Sequence, residues 1–247
     1  MHYNGGYILK KYETIIFDLD DTLIDNNKSI NHAFREILKL LNIPYTNKIF
    51  NKWKEFDTSY WHTWESGKMY IPDYIKTLEE KITYLRANRF ILFFKDISLN
   101  FEKAVTVNDV YCSALGINIV EIKNAKKLLS YLNKNYEIII ATNGPKDAAI
   151  NKLFKTSLNK YISFIVCSEE IGYSKPMKEY FDELFLRIKN KNKSKMLLIG
   201  DSLTTDILGG MKNGIDTCFF NKENVNYSKE FKPTIEIHEL NELIEIL

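Results

Sequence analysis

The sequence predicts a doubly wound α/β domain with an all-helical domain inserted into it, and three observations carry the prediction. Short β-branched runs bounded by turn residues occur at 13–18 (ETIIFD), 136–144 (YEIIIATNG), 161–168 (YISFIVCS), 195–201 (KMLLIGD) and 216–220 (DTCFF). Helical patterns separate them, and strands alternating with helices imply a parallel sheet covered on both faces. More than a hundred residues lie between the first two runs, far more than the helix of one crossover needs.

Taken in order, the first run ends in three carboxylates within four positions, Asp18, Asp20 and Asp21. Asp21 or Thr22 is placed to cap the helix that follows. From about 28 to 105 the only glycine is Gly67, and 73–96 (DYIKTLEEKITYLRANRFILFFKD) fits helical periodicity. Segment 104–134 returns to the sheet through two further helices, with Gly116 stopping the first. The expected division is therefore an α/β core of 1–27 and 106–247 and a helical insert of 28–105.

A chain of 247 residues that is 45% hydrophobic buries a sizeable core. Its formal charge of +2 is spread among interspersed lysines and acids, which points away from nucleic-acid polymers and membranes as partners. Cys112, Cys167 and Cys218 are odd in number and widely spaced, so neither a disulfide framework nor a zinc site is expected. The opening MHYNGGYILKKYE lacks the apolar segment of a signal peptide. A cytoplasmic protein, monomeric or weakly self-associating, is the expectation.

In an open parallel sheet, ligands bind beyond the carboxyl ends of the strands. Asp18, Asp20 and Asp21 follow the first run, Thr142 and Asn143 end the second, and Asp201, Ser202 and Asp206 follow the fourth; Lys175 sits in the loop after the third. Each alone reads blandly, as a turn, a cap or a surface lysine; their order and strand-end placement does not. Two carboxylates about 4 Å apart repel by roughly 4 kcal/mol at an effective dielectric of 20, so the cluster calls for a cation, a shared proton or open water. Asp18 and Asp201 suit Mg²⁺, which prefers oxygen ligands. Thr142, Asn143 and Lys175 suit phosphoryl oxygens, Asp18 suits a nucleophile, and Asp20 suits an acid that protonates the leaving oxygen and then activates water.

DLDDT (18–22), ATNG (141–144), SKP (174–176) and GDSLTTD (200–206) resemble the four motifs of the haloacid dehalogenase (HAD) superfamily. The resemblance implies a Rossmann-like core with a helical cap after the first strand. It makes Asp18 nucleophile and metal ligand, Asp20 acid/base and ligand through its carbonyl, Thr142 phosphate-binding, Lys175 the charge stabiliser and Asp201 a metal ligand, while Asp206 supports the metal site or positions Lys175. An acid at Asp20 implies a phosphatase or phosphomutase rather than a dehalogenase. The run 200–221 and the stretch WESGKM (64–69) are similar to the pyrimidine 5′-nucleotidase branch, although SKPMKEY departs from the pair usual after Lys-Pro.

Trp53, Trp61 and Trp64, with Phe56 and Tyr60 between them, either stack on a nucleobase or form the insert's own core, and the general role of large aromatics favours the second. Arg86 and Arg89 share a helical face toward substrate or pair with acids, and neither is assigned. His2, His32, His62 and His238 show no metal-ligand spacing and are taken as structural or exposed. The expected activity is Mg²⁺-dependent hydrolysis of a small phosphomonoester, foremost a nucleoside 5′-monophosphate. The rivals are a sugar-phosphate or other metabolite phosphatase and a phosphate-binding regulatory module without turnover.

Overall fold

A computed structural model describes residues 12–247 of the protein, so His2 and most of the opening segment lie outside the described residues. β1 (Thr14–Phe17) leads through a tight loop to the two-residue β2 (Ile24–Asp25). Four helices follow: α1 (Asn26–Leu40), α2 (Asn47–Glu65), α3 (Leu78–Phe93) and α4 (Phe101–Leu115). β3 (Val120–Glu121) pairs antiparallel with β2. Then come α5 (Ala125–Leu132), β4 (Glu137–Thr142), α6 (Lys146–Thr156), β5 (Phe164–Cys167), α7 (Ser168–Ile171) and α8 (Lys178–Arg187). The chain closes with β6 (Met196–Gly200), α9 (Leu208–Asn213), β7 (Asp216–Phe220), β8 (Ile235–Ile237) and α10 (Leu243–Ile246).

Among the described residues the main sheet has six strands in the order β5-β4-β1-β6-β7-β8, every neighbouring pair parallel. β1 has β4 on one side and β6 on the other, and the chain builds outward first on one flank and then on the other. A crevice opens where the direction of winding reverses, here at the carboxyl ends of β1, β4 and β6. Successive strand residues face opposite ways. Ile15 and Phe17 accordingly pack with Leu128, Leu129 and Leu153 on one face, while Ile16 packs with Tyr180, Phe181 and Leu184 on the other. The sixth strand, β8, is a three-residue IEI segment, too short for its alternation to stand out in the sequence.

The helices α1 to α4 enclose a separate aromatic cluster. Trp53 is fully buried, stacked between Phe34 and Phe90 at centroid distances of 5.4 and 5.0 Å. α3 begins at Leu78 rather than near residue 73, because Thr77 and Glu80 form a capping box that satisfies the first free N–H groups of the helix. The N-cap of α1 is Asp25, which accepts Asn27 N, while Asp21 accepts the N–H of the first helical residue, Asn26, and Thr22 takes no part. α4 packs on α1 and α3 and lends Val107, Tyr111 and Leu115 to the Trp53 cluster; residue 105, where the sequence puts the end of the insert, lies within this helix. Among the described residues no helix is long and apolar enough to cross a membrane.

Replacing Trp53 by Ala removes the central plate of this cluster and leaves a cavity between two rings. The expected loss is about 3–5 kcal/mol, read as a lowered midpoint with unchanged slope in a urea titration.

Candidate active site

The β1–β6 pairing continues one residue past β1, where Asp18 N donates to Ile199 O at 2.9 Å. This fixes Asp18 at the mouth of the sheet. Thr142 is the last residue of β4, and Asp201 directly follows β6. Into the space between them reaches Lys175, buried to 1% exposure, whose Nζ donates to Asp18 Oδ1 at 2.7 Å and Asp206 Oδ1 at 2.6 Å. The other Asp206 oxygen accepts Ser202 N at 3.1 Å, and Ser202 Oγ accepts Thr205 N, capping the helical turn at 203–207. Gly200 is a packing necessity: a Cβ there would collide with the Asp206 carboxylate.

One carboxylate oxygen each from Asp18, Asp201 and Asp206 lie within 4.8 Å of one another. Lys175 brings one positive charge to these three acids. Burial is the main reason that Asp18 stands well above the usual carboxylate range; Lys175 opposes it, and Asp206 and Asp201 add to it. Burial, then Asp206 and Asp21, pushes Asp201 up to about 7. Burial alone would lower Lys175, but Asp18 and Asp206 outweigh it and raise the ammonium above its ordinary value. An all-oxygen donor set short of positive charge fits a hard divalent cation. Since both Asp206 oxygens are taken up by Lys175 and Ser202, Asp18 and Asp201 are the acids left to hold it.

Thr142 Oγ1 accepts Gly144 N at 3.0 Å, which leaves its hydroxyl hydrogen to donate elsewhere. The Asn143 side chain is committed differently from the sequence expectation. Its Nδ2 donates to Lys175 O at 3.0 Å and its Oδ1 accepts Lys175 N at 2.9 Å, so the amide splints the lysine loop in a residue that also lines the cavity. Asp21, at φ 62, accepts Asn26 N and Lys222 Nζ and holds its turn. Asp20 lines the cavity, and its Oδ1 accepts from Lys152 of α6.

A cavity of about 340 Å³ opens over these groups and is closed on its far side by the helical layer. Trp61 and Trp64 line it, whereas Trp53 does not, and Tyr60 is held inside by its hydroxyl donating to Leu85 O. The aromatic group thus divides between core and cavity wall. Arg89 is buried, bonded to Asp57 at 2.9 Å and surrounded by the rings of Trp53, Trp61, Phe90 and Tyr111. Arg86 reaches across to Glu169 of α7 at 2.8 Å, while the second Glu169 oxygen accepts Lys146 N. None of His32, His62 and His238 lines the cavity.

Lys152, Asp57 and Glu169 are contributors that the sequence reading passed over. The one available signal was that Lys152 stands on the apolar stripe of α6 with Ala148, Ala149, Leu153 and Thr156. Asp57 and Glu169 look like ordinary surface acids until the fold brings their arginines to them.

A doubly wound sheet with a buried lysine held between aspartates at its switch point defines an α/β enzyme fold with a site suited to an anionic ligand. The chain belongs to the haloacid dehalogenase-like hydrolases, whose family model matches residues 15–220. It is 34% identical over 239 residues to YfnB of Bacillus subtilis, covering 97% of each chain. It is 27% identical to the pyrimidine 5′-nucleotidase YjjG of Escherichia coli, over 96% of this chain and 98% of that one. The pyrimidine 5′-nucleotidase PynA of Streptococcus pneumoniae is 26% identical, over 96% and 95% of the two chains. A crystal structure of YfnB bound to magnesium, reported to reveal interdomain movement, matches with a TM-score of 0.82 at 33% identity, covering 96% of this chain and 99% of that one. The protein is a phosphatase of this family.

A raised carboxylate sets the sign of the pH dependence. Between the ordinary carboxylate range and about 7 the folded protein holds a proton on Asp201 that the unfolded chain has released, so stability falls as pH rises through that window. The metal-free protein should melt lower at pH 8 than at pH 6, and Mg²⁺ at about 100 times its dissociation constant should restore roughly 5–10 °C at pH 8. Asp201→Asn should raise the metal-free midpoint at pH 8 and remove most of the Mg²⁺ effect, followed by circular dichroism.

Proposed function

We propose that the enzyme is a Mg²⁺-dependent phosphomonoesterase that works through an aspartyl-phosphate on Asp18, with a nucleoside 5′-monophosphate as its substrate. The observation that carries this reading is the Lys175 ammonium held between Asp18 and Asp206 at the floor of a cavity that Asp20 and Thr142 also line. The Asp18 carboxylate, held at the cavity floor by the bond from Lys175 to its Oδ1, is the group that attacks phosphorus. As the bond to the leaving oxygen breaks, Asp20 supplies the proton that oxygen needs. Asp20 then takes a proton from the water that attacks the phosphoryl group, releasing phosphate and restoring Asp18. Thr142 Oγ1 and Lys175 Nζ donate to the phosphoryl oxygens, and Asn143 serves by holding Lys175 rather than by binding phosphate. Asp18, Asp201 and the Asp20 carbonyl would hold Mg²⁺, which when bound supplies positive charge against the phosphoryl oxygens.

The helices α1 to α4 are the cap in this reading. Continuous packing of α4 on α1 and α3 supports ending the cap at Leu115 instead of residue 105. A nucleobase as leaving group is supported by Trp61 and Trp64 on the cavity wall, since aromatic faces stack on any base, and by nucleotidases among the relatives. The cavity's 340 Å³ falls in the range of small-molecule sites. A cytoplasmic setting and a monomeric or weakly associating chain complete the proposal.

Phosphate release from a panel of nucleoside 5′-monophosphates and sugar phosphates tests it. Release should require Mg²⁺, stop with EDTA and fall at least about 1000-fold in Asp18→Asn. A sugar phosphate turned over faster than every nucleotide would overturn the substrate while leaving the chemistry in place.

A further inference from the structure

Lys152 is a fully buried lysine on α6, a place where the helix otherwise presents alanine, leucine and threonine to the interior. A leucine or methionine would fill that position at no electrostatic cost, whereas burying an ammonium is unfavourable unless partners compensate. Its partners are specific. Nζ donates to Asp20 Oδ1 and, at 3.0 Å, to Asn26 Oδ1 at the start of α1. The other Asp20 oxygen faces Gly144, where an added Cβ would stand 3.1 Å from Oδ2. The carboxyl is thus bracketed between an ammonium and a bare glycine, with part of its surface open to the cavity.

We propose that Lys152 is a positioning residue for Asp20, fixing the carboxyl so that Oδ1 is tied to α6 and Oδ2 alone exchanges the proton with the leaving oxygen. In a protonated carboxyl the carbonyl oxygen accepts better than the hydroxyl oxygen, so an ammonium bonded to Oδ1 favours the proton on Oδ2 and thereby selects which oxygen works. This inference rests on the reading of Asp20 as the acid. Placement errors of about 1 Å cost roughly 100-fold in rate, and loss of the tether removes the bond that fixes the carboxyl's rotation.

The test separates positioning from support of the fold through the leaving group. An alkyl phosphate such as uridine 5′-monophosphate or ribose 5-phosphate leaves as an alkoxide and needs the proton; p-nitrophenyl phosphate leaves as a stable phenolate and does not. The ratio kcat/KM reports steps only through departure of the leaving group, so the later water step does not enter it. Lys152→Met, nearly isosteric and uncharged, should lose about 100-fold in kcat/KM on the alkyl phosphates and less than about 3-fold on the aryl phosphate. Lys152→Arg should recover part of the loss, and Asp20→Asn should show the same split between substrates. Should Lys152→Met not fold by circular dichroism, Lys152→Gln is read in the same way. Equal losses on both kinds of substrate, or no loss on either, would mean that Lys152 only supports the fold and would overturn the inference. If Asp20→Asn itself showed no split, the acid reading of Asp20 would fall, and the inference with it.

Discussion

The ion pair of Lys175 with Asp18 and Asp206 is the constraint around which the rest of the site is arranged. A buried ammonium is tolerable only with its hydrogen bonds made and its charge met. Both acids must therefore arrive at fixed positions from different parts of the chain. β1 delivers Asp18 by extending its pairing with β6. The turn after β6 delivers Asp206, and Gly200 gives up its side chain so that the Asp206 carboxylate can cross over it. The same three acids remain short of positive charge with Lys175 alone, which is why the region suits a dication; burial first, and then the neighbouring acids, raises Asp201 above the usual carboxylate range.

The helical layer is organised by a different rule. Trp53 and the phenylalanines around it make an apolar core that holds the four helices together, while Arg89 sits at the boundary between that core and the cavity. Its guanidinium is compensated by Asp57 and by four aromatic faces, an arrangement suited to arginine because its planar cation stacks as well as pairs. Packing on one side and polarity on the other give the layer a rigid underside over the cavity. The bridge from Arg86 to Glu169 then joins that underside to the α/β core.

The sheet was legible because its strands are apolar runs of four to six residues with polar residues directly after them. Asp18, Thr142 and Asp201 could be named for the same reason, since in a parallel sheet the residues at the carboxyl end of a strand face the crevice wherever they lie in sequence, and Lys175 from its place in the loop beyond β5. What stayed hidden depends on distances between elements. Nothing near Asn143 says that its amide will meet the main chain of Lys175, and a lysine on α6 differs from a surface lysine only by its position on the helical stripe. The start of α3 is hard to read because the polar stretch before Leu78 carries enough helical periodicity to mask the Thr77 and Glu80 box. The aromatics of α2 have similar composition throughout, and only the fold tells Trp53 from Trp61.

The splint between Asn143 and Lys175 has a consequence for how substitutions combine. Two main-chain atoms of Lys175 are bonded to one side chain from the end of β4, so these segments, 32 residues apart in sequence, are tied to each other. Changes at Asn143 displace the same ammonium that a change at Lys175 removes. Their effects overlap instead of adding, and the second and third motifs of the chain therefore constitute one mutational unit, not two.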